Sequence, residues 1–320
     1  MKAAVVTGAG ERPVHMEFDA PHAMPGHSLI DVTASALSWI AQGRASGTHY
    51  SSDRRYPFVV GVDGVGRRDD GKRVYFFGTP APFGAMAERT IVPDTQCVPL
   101  PDGLDDVTAA AIAIPGMSSW AALTERARLV AGETVLVNGA TGTSGRLAVR
   151  IAKHLGAAKV IATGRNAVAL DALLSAGADA VVSLQQDDAH LARALEPHLR
   201  AGVDVVLDYL WGASAQTLLV AAAKAAPDGR RLRFVQIGSI GGADVLLPGA
   251  VLRATAIELM GSGLGSVPLP RLLASVRGVF DAAGPARLAI ETRTVPLSAV
   301  GEHWGDTDSR VRTVFTMHGE

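Results

Sequence analysis

The chain has 320 residues, of which 48% are hydrophobic and 19% charged, with a formal net charge of −1. Two domains suit that length better than one core, and a charge near zero excludes the basic footprint of a nucleic-acid or anionic-membrane binder. A single cysteine, Cys97, excludes an internal disulfide and suits a reducing compartment.

Residues 1–10 lack the basic start and apolar run of a secretion signal. Elsewhere Gly, Pro or charge interrupts each apolar run before the roughly 20 residues that cross a bilayer, so a soluble, cytoplasmic protein is expected. Up to about residue 105 the chain reads as short strands (Lys2–Val6, 28–34, 72–77 and 88–92) separated by Pro, Gly and Asp. Val5-Val6-Thr7-Gly8-Ala9-Gly10 looks like a nucleotide loop, but Pro13 follows where a helix would begin, so a surface hairpin turn is predicted. Pro99-Leu100-Pro101-Asp102-Gly103 makes a stiff connector before the Ala-rich stretch 107–113.

From about residue 109 strands alternate with helices. Strands are predicted at Thr134–Asn138, 159–163, Ala180–Ser183, 203–208 and 231–237. Helices are predicted at 144–155, 168–175, 189–198 and 213–224. That alternation means a parallel sheet covered on both faces. A further helix, Leu269–Ala282, and strands at 293–296 and 311–317 close the chain.

Asn138-Gly139-Ala140-Thr141-Gly142-Thr143-Ser144-Gly145 directly follows a buried strand and opens a helix. Its spacing Ala140-x-Gly142-x-x-Gly145 varies the dinucleotide fingerprint. One small residue permits the tight turn, Gly142 lets backbone approach a pyrophosphate, and Gly145 lets helix and strand pack closely. The pyrophosphate would meet free N–H groups at the helix start near Ser144. The next strand ends Gly164-Arg165-Asn166 with no acid for a ribose hydroxyl pair, while Arg165 can fork onto a 2′-phosphate. NADPH is therefore expected over NADH. Without a ligand, Arg165 would be an ordinary solvated arginine.

Taken in order, several segments resemble the medium-chain dehydrogenase/reductase superfamily and its quinone oxidoreductase-like branch. They are Tyr56-Pro57-Phe58-Val59-Val60-Gly61-Val62-Asp63-Gly64-Val65-Gly66, Phe83-Gly84-Ala85-Met86-Ala87-Glu88, Pro115-Gly116-Met117-Ser118-Ser119, the turn at 138–145, Val235-Gln236-Ile237-Gly238 and Leu259-Met260-Gly261-Ser262. The resemblance implies an α/β protein in which a doubly wound parallel (Rossmann) cofactor domain is inserted in a mainly β, partly barrel-like (GroES-like) catalytic domain. The boundaries are then 1–108, 109–255 and 256–320. It also implies a cofactor set of Asn138, Ala140, Gly142, Thr143, Ser144, Gly145, Gly164, Arg165, Asp208, Ile237, Gly238, Ser239 and Gly261, and a homodimer, since members are commonly dimers or tetramers.

Zinc-dependent relatives place a cysteine near positions 38–40 and a histidine beside the acid of the Gly-rich segment. Here those places hold Ser38-Trp39-Ile40 and Val62, so no catalytic zinc is expected. The expected chemistry is hydride delivery from NADPH to a quinone or an enone. A hydroxyl or imidazole after Gly47 would steady the substrate oxygen. Alignment without gaps puts His49 there and a one-residue shift puts Tyr50. Ser118 resembles the family's hydroxyl near the nicotinamide, although serine also caps helix starts. Asp63 reads as structural, Cys97 as an inert thiol, and Trp39 as part of an apolar pocket wall.

A double-bond reductase without quinone activity, and an NADPH-binding sensor with little turnover, are the alternatives. A short-chain dehydrogenase is poorly supported because no Tyr-x-x-x-Lys pair occurs. An acyl hydrolase is disfavoured because no nucleophile elbow follows a strand.

Overall fold

The structure is a computed structural model that describes residues 1–49, 52, 55–306, 308 and 310–317. The chain divides into two compact units, Met1–Ile114 with Ala289–Glu320, and Pro115–Leu288.

The first unit is mainly β. Lys2–Val6 pairs antiparallel with Val14–Glu17 on one side and Phe58–Val59 on the other. The expected hairpin at Gly8–Gly10 is therefore present. A second, seven-stranded sheet runs in the order Glu291–Pro296, Val311–Thr316, His27–Ala36, Asp63–Arg68, Arg73–Phe77, Cys97–Pro99, with Arg89–Pro93 also on His27–Ala36. Ile30, Val32, Phe76, Met86 and Phe315 are fully buried and make its core. Their burial stabilises this unit by about 25 cal/mol for each Å² of apolar surface taken from water.

The second unit holds one parallel sheet in the order Ala180–Ser183, Lys159–Gly164, Thr134–Asn138, Val205–Asp208, Leu232–Gln236, Ile257–Gly261. Val135–Val137 and the inner residues of the neighbouring strands are 0% exposed, because helices cover both faces. The order reverses at Thr134–Asn138: its successor lies on one side and Val205–Asp208 on the other. That reversal makes the carboxyl end of Thr134–Asn138 a topological switch point. The unit continues past residue 255, the boundary expected from the sequence, because Ile257–Gly261 pairs in register with Leu232–Gln236.

Two helices depart from the sequence reading. An eight-residue helix, Trp39–Ser46, stands in the first part, where only strands and turns are expected. It is too short to show amphipathic periodicity, but Ser38 caps its start and Gly47, at φ 75°, stops it. The Ala-rich stretch becomes a helix over Asp106–Ala121 that continues through Pro115. With the π-helical turn that follows it, Asp106–Ala127 is long and apolar enough to cross a bilayer. Yet 67% of its most apolar window is buried within the protein.

Candidate functional site

At the end of Thr134–Asn138 the chain turns through Gly139, at φ 89°, and enters the helix Thr143–His154 at Gly142. This helix forms because Leu147, Ala148, Ile151 and Ala152 recur on one buried face. Its start has no side-chain cap and no acid in the first turn, while Lys153 and His154 sit in the last. The free N–H groups and the positive dipole end are thus left for an anion.

Gly145 is fixed by contact: a Cβ there would lie 2.4 Å from the Gly139 carbonyl oxygen and 2.6 Å from Ala140 Cα. Around Gly142, by contrast, a Cβ would meet nothing within 4 Å. The helix therefore packs tightly against the turn at one glycine and leaves an open cradle at the other. A pyrophosphate fits that cradle, which a side chain would fill.

Beneath the turn lies a closed polar network that fixes its shape. Thr163 Oγ1 donates to Asn138 Oδ1 at 2.7 Å, and Asn138 Nδ2 donates to Asp208 Oδ1 at 2.8 Å and to Ser214 Oγ at 3.2 Å. Gly139 N donates to Thr163 Oγ1 at 3.2 Å. Asp208 also accepts from the backbone N–H groups of Leu210 and Trp211. Burial raises the Asp208 carboxyl above its ordinary value, and the Asn138 amide and those two N–H groups oppose the rise. Asn138 and Asp208 are buried side chains that join three adjacent strand ends.

Gly164 ends the second strand under Thr141, and Arg165 follows it, exposed and without an ion pair among the described residues. Asn166 caps the next helix by accepting from Ala169 N at 2.9 Å. Ile237 and Gly238 both direct backbone N–H groups to the Asp208 carbonyl, and Ser239 follows them. Gly261 ends the last strand, and its carbonyl accepts from Arg126 Nε at 2.8 Å.

Ser118 does not cap a helix start. It lies inside Asp106–Ala121 and donates back to the Pro115 carbonyl at 2.8 Å, an oxygen whose usual helical partner is Ser119 N. Its neighbour Ser119, which sequence reasoning misses, is fully buried and shares a 2.7 Å hydrogen bond with the Tyr209 hydroxyl. Ser119 also donates to the Ser144 carbonyl at 3.3 Å, which ties this helix to the start of Thr143–His154. Burial pushes the Tyr209 hydroxyl up, so it stays protonated. Position alone could have suggested Tyr209, since it follows Asp208 at a strand's carboxyl end.

The catalytic candidates of the first unit follow the short helix. His49 is half-buried; its N–H and that of Thr48 both donate to the Gly43 carbonyl, at 3.0 and 2.9 Å. Burial, and then the charge of Arg44, hold the imidazole below its ordinary pKa. That shift favours the neutral imidazole, which carries one N–H and one bare nitrogen. Tyr50 lies outside the described residues. Ser38 is buried and its hydroxyl accepts from Ala41 N at 3.1 Å, whereas Trp39 is 67% exposed. Asp63 is buried facing Tyr75 and Arg312; burial pushes its carboxyl up to about 7 against the pull of Arg312. Burial also pushes the Cys97 thiol up, as suits an unreactive one.

Residues 145–280 match the zinc-binding dehydrogenase family. Over 97% of its length the chain is 28% identical to a probable NADPH-dependent quinone reductase of Emericella nidulans, of which it covers 98%. It is 32% identical to a trans-enoyl reductase of Aspergillus terreus over 34% of this chain and 30% of that protein. Among solved structures, the quinone oxidoreductase of Thermus thermophilus, determined also as its complex with NADPH, superposes with a TM-score of 0.78 at 26% identity, covering 99% of this chain and 100% of the other.

Proposed function

We propose that the chain is a member of the medium-chain dehydrogenase/reductase superfamily, on its quinone oxidoreductase-like branch, and an NADPH-dependent, zinc-free oxidoreductase that reduces a quinone or an activated carbon–carbon double bond; its likeness to the quinone reductases supports the reading. The observation that carries the reading is the open cradle at Gly142 over an uncapped helix start, at the switch point of the sheet. When bound, NADPH supplies a hydride, and one proton from solvent balances the two-electron reduction of the acceptor.

The chain's own residues bind and orient. The N–H groups from Gly142 to Gly145 hold the pyrophosphate, and Arg165 takes the 2′-phosphate as a charge-assisted fork. The buried Asn138–Asp208 pair keeps the turn in shape, and neutral His49 donates a hydrogen bond to the acceptor's oxygen as negative charge develops there. No zinc takes part in this reading: Ser38 is engaged as a helix cap, and Val62 offers no donor atom where a ligand would stand. The protein acts in the cytoplasm as a homodimer, the second point being open to light scattering.

Resemblance to the trans-enoyl reductase supports a second reading, in which an enone or enoyl group is the physiological acceptor and quinones are not. A panel of a benzoquinone, a naphthoquinone, a cyclic enone, an enal and a simple ketone separates the two, with metal content measured on the same sample. Binding of NADPH without turnover on any of them would leave a sensor. In the same assay Arg165→Ala should raise KM for NADPH by about tenfold or more and leave KM for NADH nearly unchanged. Equal effects on both cofactors would remove Arg165 from the 2′-phosphate.

A further inference from the structure

Within the second unit, Arg146 is the fourth residue of the helix Thr143–His154, just past the turn that ends at Gly145, and it is half-buried. Its Nε donates to the Thr141 carbonyl at 3.0 Å. Among the described residues that is the only bond its guanidinium makes, and the two terminal nitrogens are open to solvent. Thr141 in turn lies against the end of the strand Lys159–Gly164: a Cβ on Gly164 would stand 2.4 Å from Thr141 Cγ2. The backbone adds a tie, because Ala140 N donates to the Thr163 carbonyl at 2.7 Å. Thr141 thus touches both parts: its carbonyl holds the Arg146 guanidinium, and its side chain covers the residue before Arg165. Arg165 is exposed and likewise has no ion pair among the described residues.

On ordinary electrostatics a cation is out of place at Arg146. The first turn of a helix presents a positive dipole end that favours anions, and this one holds no acid to offset the guanidinium. A second cation at the neighbouring strand end adds repulsion, and an anion bound by both relieves it. A phosphate monoester carries a charge of about −1.5 to −2 near neutral pH, more than one guanidinium neutralises. We propose that Arg146 is a second ligand of the 2′-phosphate, gripping it together with Arg165, so that selection of NADPH over NADH is shared between the helix and the strand end. The inference rests on the NADPH reading and adds to it a residue that the spacing of the turn does not name. With Nε held on Thr141, the two terminal nitrogens are left for the phosphate oxygens.

Calorimetric titration of the full chain with adenosine 2′,5′-bisphosphate and with 5′-AMP tests this without turnover, since the two probes differ only in the 2′-phosphate. The wild type should bind the bisphosphate about 100-fold more tightly than 5′-AMP. Arg146→Gln should lower that ratio to about tenfold, Arg165→Gln should do the same, and the double variant should bring it near one. Affinity for 5′-AMP should stay level throughout. Arg146→Lys should hold an intermediate ratio, because it keeps the charge and loses the fork. Thermal melts establish that each variant is folded; should Arg146→Gln not fold, Arg146→Lys decides, an intermediate ratio supporting the proposal and an unchanged one overturning it. A ratio unchanged in folded Arg146→Gln overturns the proposal. So does an equal loss for both probes, which would put Arg146 on the pyrophosphate or in the shape of the turn. Failure of the NADPH reading is visible in the wild type alone, as equal affinity for the two probes or none for either, and it takes the proposal with it.

Discussion

Two of the glycine-bearing turns that follow buried strands in this protein serve opposite ends. The first, at Gly8–Gly10, opens into the antiparallel strand Val14–Glu17 and is closed by local bonds: Glu11 N donates to the Gly8 carbonyl, and Thr7 bonds the Glu11 carboxylate. A Cβ on Gly10 would meet nothing within 4 Å; the residue is there for its φ of 78°. The second, at Gly139–Gly145, opens into a helix, and a Cβ on Gly145 would strike backbone 2.4 Å away. One turn uses glycine for a dihedral angle that other residues reach at modest cost. The other uses it for close approach of two backbones, which no side chain permits. What separates the two turns is thus the helix that follows and the crowding behind it, more than the glycines themselves.

Substitutions can break that contrast, beginning with the largest effect. Gly145→Ala should destabilise the protein by about 3 kcal/mol, because rigid backbone must move to admit the methyl; urea denaturation checks it, and a loss under about 1 kcal/mol would mean the helix start is free to shift. Asn138→Ala should cost about 2 kcal/mol, since buried Asp208 loses a donor and Thr163 an acceptor. The loss should appear in the same denaturation curves, whether or not NADPH is present. Gly142→Ala sharpens the comparison differently: with open space around it, the melting temperature should stay put while NADPH affinity falls about tenfold, as read by fluorescence titration. Unchanged affinity would move the pyrophosphate away from this cradle. Gly10→Ala should be the mildest, at about 1 kcal/mol or less, with NADPH binding intact.

Much of the second unit can be read from sequence because its strands are buried on both faces. Val135-Leu136-Val137 and Val205-Val206-Leu207 are continuous apolar runs, and Leu147 and Ile151 repeat with helical spacing. The helix Trp39–Ser46 escapes because eight residues carry too little periodicity, and Ser38, noted in the sequence only as a position without a zinc ligand, is its cap. The helix through Pro115 escapes because proline ordinarily ends one. In the site, the glycines and Arg165 follow from local spacing. Ser119 does not, since its bond to Tyr209 joins residues far apart in the chain, and only the sheet's topology places them together.

The discontinuity of the first unit bears on the order in which the protein is built. Pro115–Leu288 is one uninterrupted stretch, so all its partners are available once that stretch has been synthesised. The first unit is different. Val311–Thr316 supplies the neighbour of His27–Ala36, pairing Val314 with Ala36 and Phe315 with Ser35, and Leu37 N donates to the Thr313 carbonyl. That flank of the older strand stays open during translation until the whole second unit has been made. A buried Phe315 must then dock on the 34–36 end of a strand already paired with Asp63–Arg68 and Arg89–Pro93, which places a long-range, high-contact-order step last in folding. The nascent chain's most vulnerable interval is therefore the one between completing its cofactor fold and closing its first sheet.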